Sequence, residues 1–340
     1  MRGPEDETRH SREARILDII ETARAKRPKF RDARITMAHG AGGKATRQLI
    51  EGLLAPAFGI EALDDAAAVG ELALTTDAFV VKPLRFPGGS IGELAVNGTV
   101  NDLAMGGAKP LALTVTLILE EGLDADTLRA EVDALARAAQ HAGVAIVGGD
   151  TKVVERGHAD GLYITTTGLG RRDPRAVFAP PRPGDRILLS GPIGAHGTAI
   201  MLARGEFDLD ADIESDTRPL WPAVDAILGP GLRRLRDATR GGVASVLNEL
   251  AREAGVAMAV DEAAVPVAPA VAGACELLGI DPMYVANEGV FVAIADAPLP
   301  GFHDIGEIKT EPPGMVLVNT AFGGRRVMDE LVGDPLPRIC

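Results

Sequence analysis

Cysteine, aromatic residues and positive charge are all scarce in this chain. Two of its 340 residues are cysteines, which is too few for the disulfide framework of a secreted protein. Aromatic residues make up 4% of the sequence, and the formal net charge is −13. Because such a chain has no net attraction to a phosphate backbone, we exclude a general nucleic-acid binder. A nucleotide can still bind where metal ions bridge carboxylates to its phosphates.

Long hydrophobic runs are also missing. The longest nearly unbroken apolar run covers residues 111–119, whereas a membrane-spanning helix needs about 20 apolar residues. The first residues do not show the apolar core of a secretory signal. We therefore expect a cytoplasmic protein that does not enter a membrane.

What the sequence does contain is typical of an α/β (α+β) protein with two domains. It is 46% apolar and rich in glycine. From Ile35 to Arg172, predicted strands alternate with helical patterns, and Val144–Val147 is predicted to be a buried strand. The proline-dense residues 171–185 interrupt this pattern. We predict domains at residues 35–172 and 183–326, followed by a flexible tail at 327–340.

Residues 1–34 differ from the rest of the chain. They hold ten Lys or Arg and seven Asp or Glu, and Ile16, Ile19, Ile20 and Ala23 have helical spacing. We predict a solvated N-terminal extension with one amphipathic helix. A transit peptide is the alternative, but the acidic residues argue against it.

Six aspartates stand beside glycines or other small residues at the ends of predicted elements. Any one of them can be a turn or capping residue. A converging set would suit Mg²⁺, which prefers carboxylate and phosphate oxygens. The six are Asp64, Asp65, Asp77, Asp102, Asp150 and Asp237.

Three glycine-bearing loops lie among these aspartates, at residues 39–44 (HGAGGK), 148–152 (GGDTK) and 239–242 (TRGG). Glycine lets the backbone approach phosphates, and TRGG precedes a predicted helix whose N-terminus attracts anions. HGAGGK is not a Walker A loop, because Ala38 and Ala45 stand where that motif requires Gly and Ser or Thr. Each loop alone is equally consistent with an ordinary turn.

The last residue, Cys340, ends the sequence DPLPRIC. Its two prolines favour an extended chain, so residues 334–340 predict a semi-rigid arm that reaches roughly 20 Å. A cysteine in this place can simply be tolerated, because a terminal residue buries little. The alternative is a thiol that carries a group from one place to another. Cys275, in an apolar stretch, is predicted to be a buried hydrophobe.

A series of motifs resembles, in order, the HypE family of hydrogenase maturation proteins. The match runs from Ile35 to Cys340, and its nucleotide-site motifs are shared with aminoimidazole ribonucleotide synthetase, selenophosphate synthetase and thiamin-monophosphate kinase. The terminal PRIC distinguishes the HypE family among them. The motifs are MAHGAGGKA, LTTDAFVVKPLRFPGG, VNGTVNDLAMGGAKP, IVGGDTKVV, RDATRGGVASVLNE, GACELLGIDP, ANEG, TAFGGRRV and PRIC.

The resemblance implies an ATP-dependent dehydratase that acts on its own C-terminus. In that family the carbamoyltransferase HypF places a carbamoyl group on the terminal cysteine, and HypE uses ATP to convert the thiocarbamate into a thiocyanate. The cyanide then passes to iron held by a HypC–HypD complex, on its way to a [NiFe] hydrogenase. The implied fold is PurM-like, with an N-terminal sheet that carries helices on one face and pairs across a homodimer. A C-terminal α+β domain and the tail complete it, with ATP near the domain cleft.

The resemblance also implies roles for particular residues. Cys340 carries the substrate group, Glu288 accepts protons, and Lys152 relays protons or steadies the phosphate, although the two last roles can be reversed. Taken alone, Glu288 also fits a turn and Lys152 a solvated side chain. The implied Mg²⁺ ligands are Asp65, Asp77, Asp102 and Asp237, and the other implied ATP-binding residues are Asp64, Asn101, Gly148, Gly149, Asp150, Thr151, Thr239, Arg240 and Gly241.

Two other functions remain open from the sequence. One is an enzyme of the same superfamily that phosphorylates or ligates a small molecule. The other is a carrier scaffold that holds a carbamoyl group without acting on it. Two features depart from the family, namely the extension before Ile35 and a segment between Pro300 and Gly314 that is shorter by about one helix.

Overall fold

The computed structural model describes residues 29–60, 64–205, 211–331, 333 and 338–340. The helix predicted around Ile16–Ala23 and the prolines of the predicted arm lie outside these residues. The described residues form two main sheets, one after the other along the sequence. In the part that the structure describes, no helix is long and apolar enough to cross a membrane.

The first sheet has five strands in the order β1-β2-β7-β5-β6. All neighbours are antiparallel except β5 and β6, which are parallel and joined by a helical crossover. Its strands are β1 (Ala67–Val69), β2 (Leu72–Phe79), β5 (Ala108–Glu120), β6 (Ala145–Val154) and β7 (Leu162–Arg172), and a separate hairpin is formed by β3 (Arg85–Phe86) and β4 (Gly89–Ser90).

Two helices cover one face of this sheet. Helix α3 (Ile91–Met105) is buried on nearly all sides because it also contacts the second half of the molecule. Helix α4 (Ala125–Ala142) is amphipathic; Asp124 caps its start by accepting the Thr127 N–H, and Gly143 ends it in a left-handed conformation. Two shorter helices precede the sheet, α1 (Lys44–Leu49) and α2 (Ala55–Phe58), joined by a π-helical turn at Ile50–Leu54.

The other face of the first sheet has no helix over it among the described residues. Side chains on this face include exposed Leu72 and Leu74 and a pair of threonines, Thr76 and Thr167, whose hydroxyls lie 3.1 Å apart. The prediction that Val144–Val147 forms a buried strand is wrong for three of its four residues. Val144 is buried just before β6 begins, but β6 lies at the edge of the sheet, residues 145–147 are exposed, and Val147 is 66% exposed.

The second sheet has seven strands in the order β14-β13-β10-β12-β8-β11-β9. Its centre is apolar, and the whole of β11 is buried. Only β10 and β13 run parallel to each other. The strands are β8 (Arg186–Leu189), β9 (Leu232–Asp237), β10 (Ala257–Asp261), β11 (Phe291–Ala295), β12 (His303–Lys309), β13 (Val316–Asn319) and β14 (Arg325–Met328). Between Pro300 and Gly314 the chain forms β12.

Helices lie on both faces of the second sheet. On one face α7 (Gly242–Ala254) buries an apolar stripe of Val243, Val246, Leu247 and Leu250. On the other, α6 (Trp221–Ile227) packs together with Ala104 and Met105 at the end of α3. Two more helices, α5 (Ala195–Ala203) and α8 (Pro269–Leu278), pack in the core cluster of the first half, and α8 buries Cys275 as predicted. The end of α3 therefore joins the cores of the two halves.

Candidate active site

The four aspartates expected to bind Mg²⁺ come together where α3 crosses between the two sheets. Asp77 lies on β2, Asp102 on α3 and Asp237 at the end of β9, while Asp65 precedes β1. Burial raises the pKa of Asp102 well above its usual value, and the charges of Asp237, Asp77 and Asp65 raise it further. The Thr75 hydroxyl donates to Asp102 Oδ2 over 2.8 Å. Four carboxylates thus share one buried region and repel one another.

The described residues contain no group of three or more His, Cys, Asp and Glu side chains close enough together to hold a metal ion as they stand. The donor set nevertheless suits a hard cation. Asp102 and Asp237 both have a pKa well above the usual value, first because of burial and then because of neighbouring carboxylates. A divalent ion with its phosphate ligands would relieve this repulsion and occupy oxygen donors of the preferred kind.

Two arginines border the acidic group. The guanidinium of Arg236 lies 2.7 Å from Asp65 Oδ1 and 3.4 Å from Glu253 Oε1. Burial lowers the pKa of Arg236, but the charges of Asp65, Glu249 and Glu253 and the hydrogen bond to Asp65 together outweigh burial and raise it. Asp64 lies 3.4 Å from Arg234, so it is tied to an arginine and is not part of the buried acidic group. Arg236 opens the RDATRGGVASVLNE motif, but its pairing with Asp65 joins distant segments and has no local pattern that would predict it.

Glu288 lies directly beside this group and is 3% exposed. Burial raises its pKa well above the usual value, and the charges of Asp237, Asp77 and Asp216 add to the effect. Asp216 fixes the backbone here by accepting the N–H groups of Glu288 and Gly289, each over 3.1 Å. A buried carboxyl with a raised pKa is a stronger base once ionised, which suits a proton acceptor. No sequence pattern indicated Asp216.

Asn101, predicted to bind ATP, connects the two halves of the molecule instead of facing open space. Its amide nitrogen donates to the carbonyls of Arg218 and Glu288 over 3.0 and 3.2 Å, and its oxygen accepts the Leu220 N–H over 2.8 Å. These three bonds use the polar atoms of its side chain. Its contribution to an ATP site is therefore to hold the Glu288 backbone in place, while direct contact with ATP stays a prediction.

Two of the three glycine loops meet next to the acidic group. Arg240, of the TRGG loop, donates to the Gly40 carbonyl of the HGAGGK loop over 2.8 Å. A Cβ at Gly42 would lie 2.8 Å from Arg240, so the two loops pack backbone against side chain. TRGG leads into α7, where Gly241 has a left-handed φ of 77°. The predicted residues Thr239, Arg240 and Gly241 therefore lie beside a helix N-terminus, where backbone N–H groups attract phosphate.

The third glycine loop is not brought to the acidic group within one chain. Residues 148–152 lie on β6, and register places Asp77, Thr166, Val115 and Gly149 in one row across four strands. With strands about 4.8 Å apart, Gly149 is roughly 14 Å from Asp77. Lys152 is three residues further along β6 and so points to the opposite face. It pairs with Asp150 over 2.5 Å, and this hydrogen bond lowers the pKa of Asp150.

The start of the predicted tail is bound to the HGAGGK loop. The Lys44 N–H donates to the Leu331 carbonyl over 2.9 Å, and Lys44 Nζ lies 2.7 Å from Asp329. Buried Glu330 is paired with Arg47 and Arg252. This loop and the start of the tail therefore share an anchor.

The last residues of the chain are docked against the body of the protein. Ile339 is 1% exposed and packs in the same hydrophobic cluster as Val285 and Ala286, just before Glu288 along the chain. Cys340 is half-buried against that cluster. The terminal residues are therefore docked on the folded body, with Ile339 inside a core cluster and Cys340 packed against it.

Comparison with known proteins agrees with this architecture. The family model "AIR synthase related protein, N-terminal domain" matches residues 63–172, and the corresponding C-terminal domain matches residues 182–305. Carbamoyl dehydratase HypE of Rhodobacter capsulatus is 47% identical over 92% of this chain and 99% of its own. Carbamoyl dehydratase HypE of Cupriavidus necator is 49% identical over 92% of this chain and 96% of its own.

Solved structures are similar as well. A HypE–HypF complex has a chain 43% identical to this one, with a TM-score of 0.79 over 83% of this chain and 99% of its own. A HypE structure in complex with ATP is 39% identical, with a TM-score of 0.75 over 90% of this chain and 100% of its own. Thiamine monophosphate kinase of Aquifex aeolicus, 19% identical with a TM-score of 0.63, shares the fold. The predicted two-domain α/β class is confirmed, and the chain belongs to the HypE family of hydrogenase maturation proteins.

Proposed function

We propose that this protein is an ATP-dependent carbamoyl dehydratase whose substrate is an S-carbamoyl group on its own Cys340. The product is a thiocyanate, the source of a cyanide ligand for the iron of a [NiFe] hydrogenase. The observation that carries the proposal is the docked tail. It packs Cys340 against a core cluster, and the Ile339 carbonyl is joined through His196 and Ser215 to the segment whose Asp216 holds the Glu288 backbone.

The chemistry balances with ATP as the only co-reactant. The carbamoyl oxygen attacks the γ-phosphate, ADP leaves, and the oxygen then departs as phosphate when the C–O bond breaks. Both N–H protons are lost as the C≡N bond forms, one to phosphate and one to a base. Mg²⁺ held by Asp65, Asp77, Asp102 and Asp237 would neutralise phosphate charge. The N-terminus of α7 and Arg240 supply further positive potential at the same place.

Glu288 is the proton acceptor that the geometry supports best. It is buried, its backbone is fixed by Asp216 and by Asn101, and its pKa is raised. A positioned general base contributes about 10²–10⁴-fold to such a step. In a single chain Lys152 is too far from this carboxyl to share the proton.

A homodimer would supply Lys152 from a second copy. The face of the first sheet that the described helices leave open carries Leu72, Leu74 and threonines, and β6 forms one edge of that sheet. Two such faces packed together would bury this apolar surface and place β6 of one copy near the acidic group of the other. We therefore propose that Gly148–Lys152 belongs to the site of the partner subunit.

The partners follow from the relatives. A carbamoyltransferase like the HypF seen with HypE in a solved complex would load Cys340. A HypC–HypD complex would receive the cyanide, and we expect the whole sequence of steps to take place in the cytoplasm. The solved complex of HypE with ATP supports ATP as the nucleotide.

The test is intact-protein mass spectrometry of the chain carrying a carbamoyl group on Cys340, before and after Mg·ATP is added. The expected result is the loss of the mass of one water, located on the C-terminal peptide. Glu288→Gln should slow this loss about 10²–10⁴-fold, whereas Glu276→Gln on the exposed side of α8 should not. An unchanged mass with bound ATP would favour the carrier scaffold, and ATP turnover that ignores Cys340→Ala would favour a small-molecule enzyme.

A further inference from the structure

The last three residues of the chain occupy a site built from three separate parts of the fold. These parts are the start of α5 at His196, the loop between β2 and β3 at Lys82, and the turn between β6 and β7 at Asp160. Each part contacts a different group of the tail. The contacts involve both the backbone and the side chains of residues 338–340.

His196 is the most deeply placed of these contacts. It is 0% exposed, and its Nε2 lies 2.7 Å from the Ile339 carbonyl, while its Nδ1 lies 2.8 Å from the Ser215 hydroxyl. Because a carbonyl only accepts, Nε2 carries the proton and Nδ1 accepts from Ser215. The Ser215 oxygen in turn accepts the Thr217 N–H over 3.2 Å. A single tautomer of His196 satisfies every hydrogen bond in this series.

The same segment also holds the proposed base. Asp216, between Ser215 and Thr217, accepts the N–H groups of Glu288 and Gly289. Residues 215–217 therefore contact the tail through His196 on one side and the Glu288 backbone on the other. A shift of the docked tail would therefore disturb Ser215, which is the neighbour of Asp216, the residue that holds the Glu288 backbone.

The Ile339 side chain fills an apolar site, and Phe86 packs edge-on against the His196 ring with 5.5 Å between centroids. The chain arrives there through Arg338, which has a left-handed φ of 59°. The Arg338 carbonyl accepts from Arg204 Nη2 over 2.7 Å and from the Lys82 N–H over 3.3 Å. Three donors thus define the path of the tail, namely the His196 ring, the Arg204 guanidinium and the Lys82 backbone N–H.

The Arg338 guanidinium is recognised separately, at the surface. It lies 2.7 Å from Asp160, which also pairs with Lys82 over 3.3 Å and accepts from the Tyr163 hydroxyl over 3.2 Å. The site therefore selects a basic residue, then an aliphatic one, at fixed distances before the cysteine.

We infer that these groups form a receptor for a peptide ending in Arg-Ile-Cys, and that His196 is the positioning residue which presents the Cys340 thiol to the ATP site. The inference rests on the proposed function for the purpose of the receptor, but the receptor itself is defined by contacts alone. His196 touches the tail backbone and not the reacting atoms.

The experiment measures the rate at which a bulky maleimide alkylates Cys340 in the reduced full-length protein, read by intact mass. Cys275, 1% exposed, reports on global opening in the same spectrum. His196→Leu and Asp160→Asn each remove one tail contact and should speed alkylation about 3- to 10-fold, the equivalent of one lost hydrogen bond or ion pair. His196→Gln, whose amide nitrogen can reach the Nε2 position, should restore slow alkylation. His303→Leu, an exposed histidine on β12, is the matched control.

If His196→Leu does not fold, Asp160→Asn and Ile339→Ala decide the question. Unchanged alkylation in both would overturn the receptor, as would equal rates for His196→Gln and His196→Leu. The proposed function is judged separately by water loss from carbamoylated protein. A protected thiol without water loss defeats the proposed function alone, and water loss with an unprotected thiol defeats the receptor alone.

Discussion

At the scale of single residues, His196 shows how burial keeps a titratable side chain in one protonation state. Burial lowers its pKa, and the charge of Asp216 and the bond to Ile339 offset this only in part. The folded protein therefore keeps the ring neutral where the unfolded chain protonates it near the ordinary value of 6.5. Protonation would also turn Nδ1 into a donor, which would reverse the hydrogen bond between Nδ1 and the Ser215 hydroxyl.

A pH dependence of stability follows. Through His196, the unfolded state binds up to one more proton than the folded state below about pH 6.5, so the stability that depends on the neutral ring is fully present above that pH and is lost as the pH drops further. The slope should reach at most about 1.4 kcal/mol per pH unit. Thermal unfolding of wild type and His196→Gln across pH 7.5 to about 5 checks this. The difference between the two should change with pH, and parallel curves would contradict the expectation.

The sequence predicted the acidic residues of the site better than their supports. Asp65, Asp77, Asp102, Asp237 and Glu288 stand beside glycines or small residues in recognisable motifs, and the structure places them together. Supporting residues act through contacts between segments far apart in the chain, as between His196 and Ile339. Such contacts leave no local spacing for a sequence pattern to reveal, which is why Asp216 and His196 were not found.

At the scale of elements, helix α7 begins and ends with glycines that have similar backbone angles but different surroundings. Gly242 has φ of 61° and Gly255 has φ of 63°. A Cβ at Gly242 would lie 2.5 Å from the Met283 carbonyl oxygen and 2.7 Å from that of Val285, whereas a Cβ at Gly255 meets nothing within 4 Å. The first position therefore needs glycine for space as well as for its angle.

Alanine substitutions at these two positions separate the cost of the left-handed backbone angle from the cost of the close contacts at Gly242. Gly255→Ala should cost about 1 kcal/mol, the penalty of a left-handed residue. Gly242→Ala should cost about 2–4 kcal/mol, since backbone carbonyls cannot move aside cheaply. It should also weaken ATP binding, because the helix start would shift. Urea unfolding measures the loss of stability, and nucleotide titration measures the loss of ATP affinity. Equal losses of stability for the two variants would mean that the close packing at Gly242 does not contribute to stability.

Most elements could be predicted from periodicity, and the exception is informative. The predicted alternation of strands and helices from Ile35 to Arg172 is present as β2, β5, β6 and β7 with α3 and α4, and the helix predicted after TRGG is α7, because one-sided or complete burial produces a clear pattern. In the apolar run at Val144–Val147, only Val144 is buried. An apolar strand at an edge has the same local sequence as one in the centre, and only the strand order distinguishes them.

At the scale of the whole molecule, the proposed site needs two copies. Lys152 lies on the edge strand β6 of the first sheet, whereas Glu288 lies in the turn before β11 of the second sheet. This arrangement predicts complementation between two inactive variants, provided that they can exchange subunits.

Glu288→Gln and Lys152→Ala chains, unfolded together in equal amounts and refolded, should regain activity that neither has alone. Half of the dimers would be mixed, and each mixed dimer would hold one site with both native residues, which gives roughly a quarter of wild-type activity. Water loss from carbamoylated Cys340 is the readout. Activity no greater than that of the separate variants would place both residues in one subunit's site, or Lys152 outside it. Glu276→Gln mixed with Lys152→Ala serves as the control for refolding, and is expected to reach the level set by its native sites.

The anchor shared by the HGAGGK loop and Leu331 sets how the tail finds its receptor. Nine residues follow Leu331, so Cys340 stays within about 30 Å of that point even when undocked. Confinement to such a volume corresponds to an effective concentration on the order of millimolar. A receptor with an affinity of roughly 0.1 mM for the free peptide would therefore be about nine-tenths occupied by its own tail, and the loss of one contact would leave it about half occupied. Docking at this level still leaves the thiol available to a loading enzyme or an acceptor for about a tenth of the time, without any separate step to release it.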